Sequence, residues 1–184
     1  MRSLPGLLLA CVLASCSGRE SVTVADCTLF DGKSFVKSVA DSTKKSGLKV
    51  KKQITNSDSE YDTTVWASEL NWEKELALIS NISLCTPSNM GAFTQDTLTG
   101  DSSAYTVSFT PVSDKNTLKY LRVRYVADSK KILNIEACTS VNNILYSSSD
   151  SLFFAPYRYY RVVSVQQINF IKKSSKISTQ MFFY

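Results

Sequence analysis

The sequence predicts an α+β fold: two N-terminal helices with an intervening β-hairpin, packed against a curved antiparallel β-meander of about six strands. Three observations carry that expectation. Apolar residues recur at helical spacing in two early segments. From Gly91 onward the pattern changes period from 3.6 to 2 and stays there. The alternating segments show one apolar and one polar face and are joined by short turns, which describes an antiparallel sheet covered on one side. With 184 residues, 43% of them hydrophobic, the chain can fill one sizeable core, so wholesale disorder is excluded.

Each element has its own signals. Asp31 to Ser46 reads as a helix: Asp31 can cap it, Phe35, Val36, Val39 and Ala40 form one stripe, and Lys44 and Lys45 suit the C-terminal dipole before Gly47 stops it. Residues 48–56 and 61–68 read as a hairpin turning at Asn56-Ser57-Asp58-Ser59. A second helix is predicted over Asn71 to Ile79, capped by Asn71, with Trp72, Leu76 and Ile79 on one face. Strands follow at Ala104–Thr110, around Leu121–Tyr125 and around Leu133–Cys138, then near 143–146, 151–155, 157–171 and 176–184. In the long segment the apolar parity shifts from Val163 and Val165 to Ile168 and Phe170, which predicts a bulge near Gln166–Gln167.

The N-terminus speaks to location. Arg2 precedes an apolar run from Leu7 to Ala14, too short to span a bilayer, which takes roughly 20 apolar residues. Leu13-Ala14-Ser15-Cys16 resembles the bacterial lipobox. That resemblance implies cleavage after Ser15 and acyl chains at Cys16, giving multi-chain anchoring that one chain cannot match. An ordinary secretory leader cut nearby is the other reading. The expected organisation is residues 1–15 as lipoprotein signal peptide, 16–28 as lipidated tether and 29–184 as a single domain. Ser17, rather than Asp, after Cys16 points to the bacterial outer membrane, with the periplasmic or surface face open.

The lipobox leader, the Phe35 helix, the hairpin and Asn71-Trp72-Glu73-Lys74-Glu75-Leu76-Ala77-Leu78 before a long meander together resemble small uncharacterised lipoproteins of Bacteroidota. The layout covers most of the chain; the Trp-Glu-Lys-Glu-Leu match is local. The resemblance implies an envelope lipoprotein and carries over no catalytic residues. This chain departs from the pattern in its Ser-rich turns and extra Cys.

Composition removes several function classes. With no His, neither Ser-His-Asp nor Cys-His nucleophile pairs exist, nor any metal site that needs imidazole. No Gly-rich phosphate loop occurs, and no cofactor is expected. Cys27, Cys85 and Cys138 follow the leader in a compartment that permits disulfides; three thiols allow at most one bridge, buried free thiols being the competing reading. Glu73 and Glu75 stand two apart and point different ways on a helix.

Arg122 and Arg124 share a strand face with Tyr120, and Tyr157-Arg158-Tyr159-Tyr160-Arg161 comes later. This is either an exposed face whose Arg stems cover aromatic rings, or a surface for glycan or lipid headgroups. Nucleic acid is excluded as a partner for an exported chain of net charge +5. Trp66 and Trp72 read as core or, with Tyr125, as the lining of an apolar pocket of about 300 Å³ or more. Met181-Phe182-Phe183-Tyr184 reads as a last core strand rather than the end of a membrane barrel. Asp41-Ser42-Thr43, Asp62-Thr63-Thr64, Asp96-Thr97-Leu98 and Asp150-Ser151-Leu152 resemble Bacteroidota O-glycan sites, with Thr97 and Ser151 favoured because turns are expected near them.

The function expected from these residues is a non-catalytic, lipid-anchored envelope protein that binds or scaffolds through its sheet, partnered by the membrane and by an envelope protein, lipid or glycan. A carrier of a lipid or other hydrophobic ligand is the alternative. A carboxylate-based hydrolase, requiring two acids across a cleft, is the minor one.

Overall fold

The computed structural model describes residues 29–56, 59–99, 102–171 and 173–184. The leader, Cys16 and Cys27 lie outside the described residues.

Asp31 starts the first helix, α1 (Gly32–Lys45), as its sequence predicts. One carboxylate oxygen accepts the Lys33 N–H at 3.0 Å and the other accepts the Ser34 hydroxyl at 2.7 Å. These bonds, the Ser34 one foremost, hold the Asp31 carboxyl below its ordinary value of 3.8. A depressed carboxylate stabilises the fold above its unfolded pKa and loses that contribution as pH falls through its folded pKa. Acid titration of α1 by circular dichroism is therefore expected to show a cap contribution of about 1 kcal/mol, intact above about pH 4 and lost below it. Asp31→Ala should lack that part of the acid limb. At the other end Gly47, at φ 65, takes the left-handed conformation that stops the helix.

The elements that follow are β1 (Lys49–Thr55), β2 (Glu60–Trp66), a 3₁₀ turn (Ala67–Glu69), α2 (Trp72–Glu75), α3 (Ala77–Ser80), β3 (Phe93–Thr99), β4 (Ala104–Pro111), β5 (Leu118–Val126), β6 (Ile132–Asn142), β7 (Tyr146–Ala155), β8 (Tyr159–Ile168) and β9 (Lys173–Phe183). The strands form one antiparallel sheet in the order β2-β1-β9-β8-β7-β6-β5-β4-β3.

This overturns the α+β expectation. The described residues are mostly β: a single nine-stranded sheet carrying three short helices. Three physical causes account for the difference. First, the early hairpin is part of the main sheet, because β1 pairs with the chain's last strand from Val50↔Phe183 to Thr55↔Ser178. Second, the predicted second helix is two single turns broken at Leu76 (φ −101, ψ 24). A continuous helix would send the Ile79 N–H to the Glu75 carbonyl. Here the Tyr160 hydroxyl donates to that carbonyl at 2.9 Å, and the Ile79 N–H bonds Leu76 O instead. Third, β3 is an additional strand with little apolar alternation, because it forms a sheet edge with most of both faces in water.

The bulge expected at Gln166–Gln167 is absent: Ser148↔Gln166 and Ser147↔Gln167 pair in unbroken register. The register shifts fall between β5 and β6, at Leu118/Tyr120 and Arg124/Tyr125. The apolar parity of β8 changes because core-facing positions beyond Val162 leave the region under the helices, and Ile168 is 47% exposed.

Along each central strand, alternate residues face the helices. Leu121, Val123, Ile135, Phe154 and Met181 are fully or almost fully buried there, against Val36 and Val39 of α1 and Trp72, Leu76 and Ile79 of α2–α3. Phe35 meets Phe154 edge-on at 6.0 Å. Lys52, on the same face of β1, places its ammonium 2.7 Å from both carboxylate oxygens of Glu75. The pair links β1 to α2 beside the Tyr160–Glu75 bond. Burial, with the Glu75 and Asp150 charges adding to it, pushes the Tyr160 phenol well above its ordinary range. Among the described residues no element covers the opposite face of the sheet.

Candidate functional site

On β5, Leu121 and Val123 point into the core, so Tyr120, Arg122 and Arg124 project from the uncovered outer face. The Arg122 guanidinium lies 5.1 Å from the Tyr120 ring centroid, and its Nη1 is 4.0 Å from a Glu136 carboxylate oxygen on β6. Two depressions flank this pair. One, of about 510 Å³, lies among Leu98, Thr106, Arg122, Arg124, Asn134 and Glu136. The other, of about 410 Å³, lies among Tyr120, Glu136, Ser151, Phe153, Arg161 and Val163. The aromatic row continues outward: Phe153 and Tyr159 rings are 6.1 Å apart, and Tyr159 and Phe182 rings 5.1 Å. The Tyr159 hydroxyl donates to Gln180 at 3.0 Å and so fixes its ring. Flat rings beside guanidinium groups can stack on sugar rings and hold acidic substituents.

The structure brings Arg122 and Arg124 together as their spacing predicts, but scatters the three aromatics expected to share a pocket. Trp66, 48% exposed, stands on the outer face at the β2 edge with the Lys49 ammonium 4.6 Å over its ring. Trp72 is core: it stacks on Phe183 at 5.5 Å and donates its indole N–H to Ala67 O at 2.8 Å. Tyr125 faces inward near the far end of the sheet, stacked on Tyr105 at 5.2 Å, with burial pushing its phenol up. The pocket expected among Trp66, Trp72 and Tyr125 is therefore corrected to three separate environments. Thr97 and Ser151 are exposed; Thr97 lies on β3 two residues before its end, paired with Val107, and Ser151 lies mid-strand on β7, paired with Cys138 and Val163.

Sequence reasoning missed an inner cleft of about 350 Å³ between the 81–89 segment and the ends of β5, β6 and β7. Asn81, Asn89, Asn116, Thr139 and Asp150 supply its polar groups, above walls that include Leu78 and Phe93. Asp150 is the one carboxylate among its lining residues, accepting the Thr139 hydroxyl at 3.4 Å. A pair of acids facing each other is not assembled there. The local signal was slight: Ser148 and Asp150 occupy the inward parity of β7 that Leu152 and Phe154 later fill. The remaining lining residues come from segments far apart in sequence.

Cys85 is disulfide-bonded, its partner lying outside the described residues, while Cys138 is a free, half-buried thiol on the outer face. Of the readings open from sequence, one bridge is thus the one observed. Among the described residues no helix is long and apolar enough to cross a membrane.

Comparison of the chain with protein-family models, with the curated proteins and with the solved structures found no match.

Proposed function

We propose that this protein is a lipid-anchored component of the bacterial outer membrane, held by acyl chains at Cys16, that binds non-catalytically through the outer face of its sheet. The observation that carries the binding role is the face left uncovered among the described residues, where Tyr120, Arg122, Phe153 and Arg161 border two depressions. The ligand chemistry this face suits is a glycan bearing acidic groups: rings for the aromatics, anions for the guanidinium groups. The lipobox supports the anchor, and the disulfide at Cys85 suits the oxidising envelope.

Binding to immobilised acidic glycans should weaken at least tenfold in an Arg122→Ala/Arg161→Ala variant, a change on the scale of a truncated binding hot spot. Retention of full affinity would refute the role of this face. Palmitate labelling should mark the protein and miss Cys16→Ala; an unlabelled wild type refutes the anchor.

The anchor reading carries a consequence for the disulfide. Cys11 leaves with the leader and the Cys16 thiol carries diacylglycerol, so Cys27 is the thiol left for Cys85. Non-reducing peptide mapping of the mature protein is expected to recover a Cys27–Cys85 pair, with Cys138 alone taking iodoacetamide. A Cys85–Cys138 peptide would contradict it.

A further inference from the structure

Two hairpin turns at one end of the sheet are tied into a single tip. Asn169, between β8 and β9, donates from its side-chain amide to the carbonyls of Asn143 at 3.0 Å and Ile144 at 3.2 Å, and from its backbone to Leu145 O at 3.0 Å. Asn143 Oδ1 accepts the backbone N–H groups of Leu145 and Tyr146, both at 2.9 Å. These bonds satisfy backbone groups of Asn143, Ile144, Leu145, Tyr146 and Asn169, while large apolar side chains of the tip stay exposed. Ile144 is 85% exposed, Phe170 73%, Ile171 65% and Leu145 57%, with Ile168 and Tyr146 each over two-fifths exposed. None of the six belongs to the core cluster.

Turns ordinarily carry Gly, Asn, Asp or Ser. Two adjoining turns loaded with large apolar side chains form a contiguous patch of the kind that marks an interaction surface. Charge narrows the partner. Segments 142–149 and 165–176 contain Lys172, Lys173 and Lys176 and no Asp or Glu, and Lys173 and Lys176 are exposed. An apolar apex with a basic, acid-free collar suits a bilayer bearing anionic headgroups.

Position agrees. The described chain begins at this end of the sheet: Leu84 N–H donates to Phe30 O at 3.0 Å, and Ser83 and Leu84 line the inner cleft together with Leu118 and Val141 from the same strand ends. Cys16 is separated from Leu29 by a segment whose full extension reaches only roughly 45 Å. An anchored molecule therefore holds this end within that reach of the membrane.

We propose that the 144–146/168–171 tip is a second membrane contact, seating its apolar side chains at the headgroup–acyl boundary with Lys173 and Lys176 against anionic lipid. The nearby bilayer rests on the lipid-anchor reading; the contact itself needs no acyl chain. The test uses the unacylated polypeptide 17–184, which lacks Cys16 and keeps every described residue, in co-sedimentation with vesicles of phosphatidylcholine and phosphatidylglycerol. The wild type should partition onto them, less so in high salt. Ile144→Ser/Phe170→Ser, at exposed positions and with unchanged far-ultraviolet circular dichroism, should lower the partition coefficient at least tenfold. Trp66→Ala, removing an exposed aromatic beside a lysine at the opposite strand end, should leave it unchanged. No partitioning by the wild type, equal partitioning by the tip variant, or equal loss in Trp66→Ala would overturn the proposal. So would vesicle-free dimerisation that the tip variant abolishes. Acylation of Cys16 is read separately by intact mass, so its absence defeats the anchor and leaves the vesicle result standing.

Discussion

Gly32→Ala is expected to remove about 3 kcal/mol or more of stability, at the upper end of what overpacking costs and a large share of a domain's total. Gly32 is the first residue of α1, and its N–H donates to Ile82 O at 2.9 Å. A Cβ there would overlap the carbonyl oxygens of both Ile79 and Ile82. These are backbone atoms, unable to rotate aside, so α1 must lift from the end of α3 and lose the hydrogen bond with it. Urea denaturation should show a much lower midpoint with little change in slope. Gly47→Ala is the comparison: its φ is strained at +65, but a Cβ meets nothing within 4 Å, so its cost should be only about 1 kcal/mol. Equal midpoints for the two variants would refute the close-approach account.

Trp72→Ala should cost about 3–5 kcal/mol, the range for truncating a buried large aromatic. The side chain is 1% exposed and lies nearly parallel to Phe183, with 17° between their planes. Its removal opens a cavity between α2 and the sheet and strips the Ala67 carbonyl of its N–H donor. Trp72→Phe should recover part of the loss, restoring apolar volume without the indole N–H. Fluorescence provides an independent readout. The chain has two tryptophans, and Trp66 is half-exposed, so Trp72→Ala should lose the blue component of the emission while Trp66→Phe keeps it.

Local physics was legible in the sequence, and long-range partnership was not. Asp31, the Val36–Ala40 stripe and Gly47 delimit α1 to within a residue because caps and stops act on the nearest few backbone groups. Most of the long meander strands are visible by alternation, since one face of each is buried; the hairpin is visible by its strand formers and its turn residues, because β2 has no buried residue. Nothing in Lys49–Thr55 announces β9 as its other neighbour: Lys52 breaks the apolar parity on the buried face, and only Glu75 arriving from α2 explains why it is tolerated. Tyr160 likewise meets the second helix at its break, from a site distant in sequence. β3 was invisible because its inward positions Gln95 and Thr97 are exposed, leaving no period to detect. At the candidate site, Arg122 and Arg124 were found because two-residue spacing on a strand guarantees a shared face. Arg161 and Phe153 join them through strand order, which alternation does not encode.

The β1–β9 pairing has a consequence for how the molecule is made. Contacts between segments far apart in sequence raise contact order and slow folding. A polypeptide delivered N-terminus first exposes residues 49–66 long before their permanent neighbour is synthesised, and the open edge of that ribbon invites foreign strands in the interval. The last strand is also the keystone rather than a border: six strands lie on one side of β9 and two on the other. A premature stop before Lys173 would therefore not shorten the protein into a smaller working copy. It would leave an orphaned ribbon beside a six-stranded remnant, each with a raw margin where the missing segment belongs.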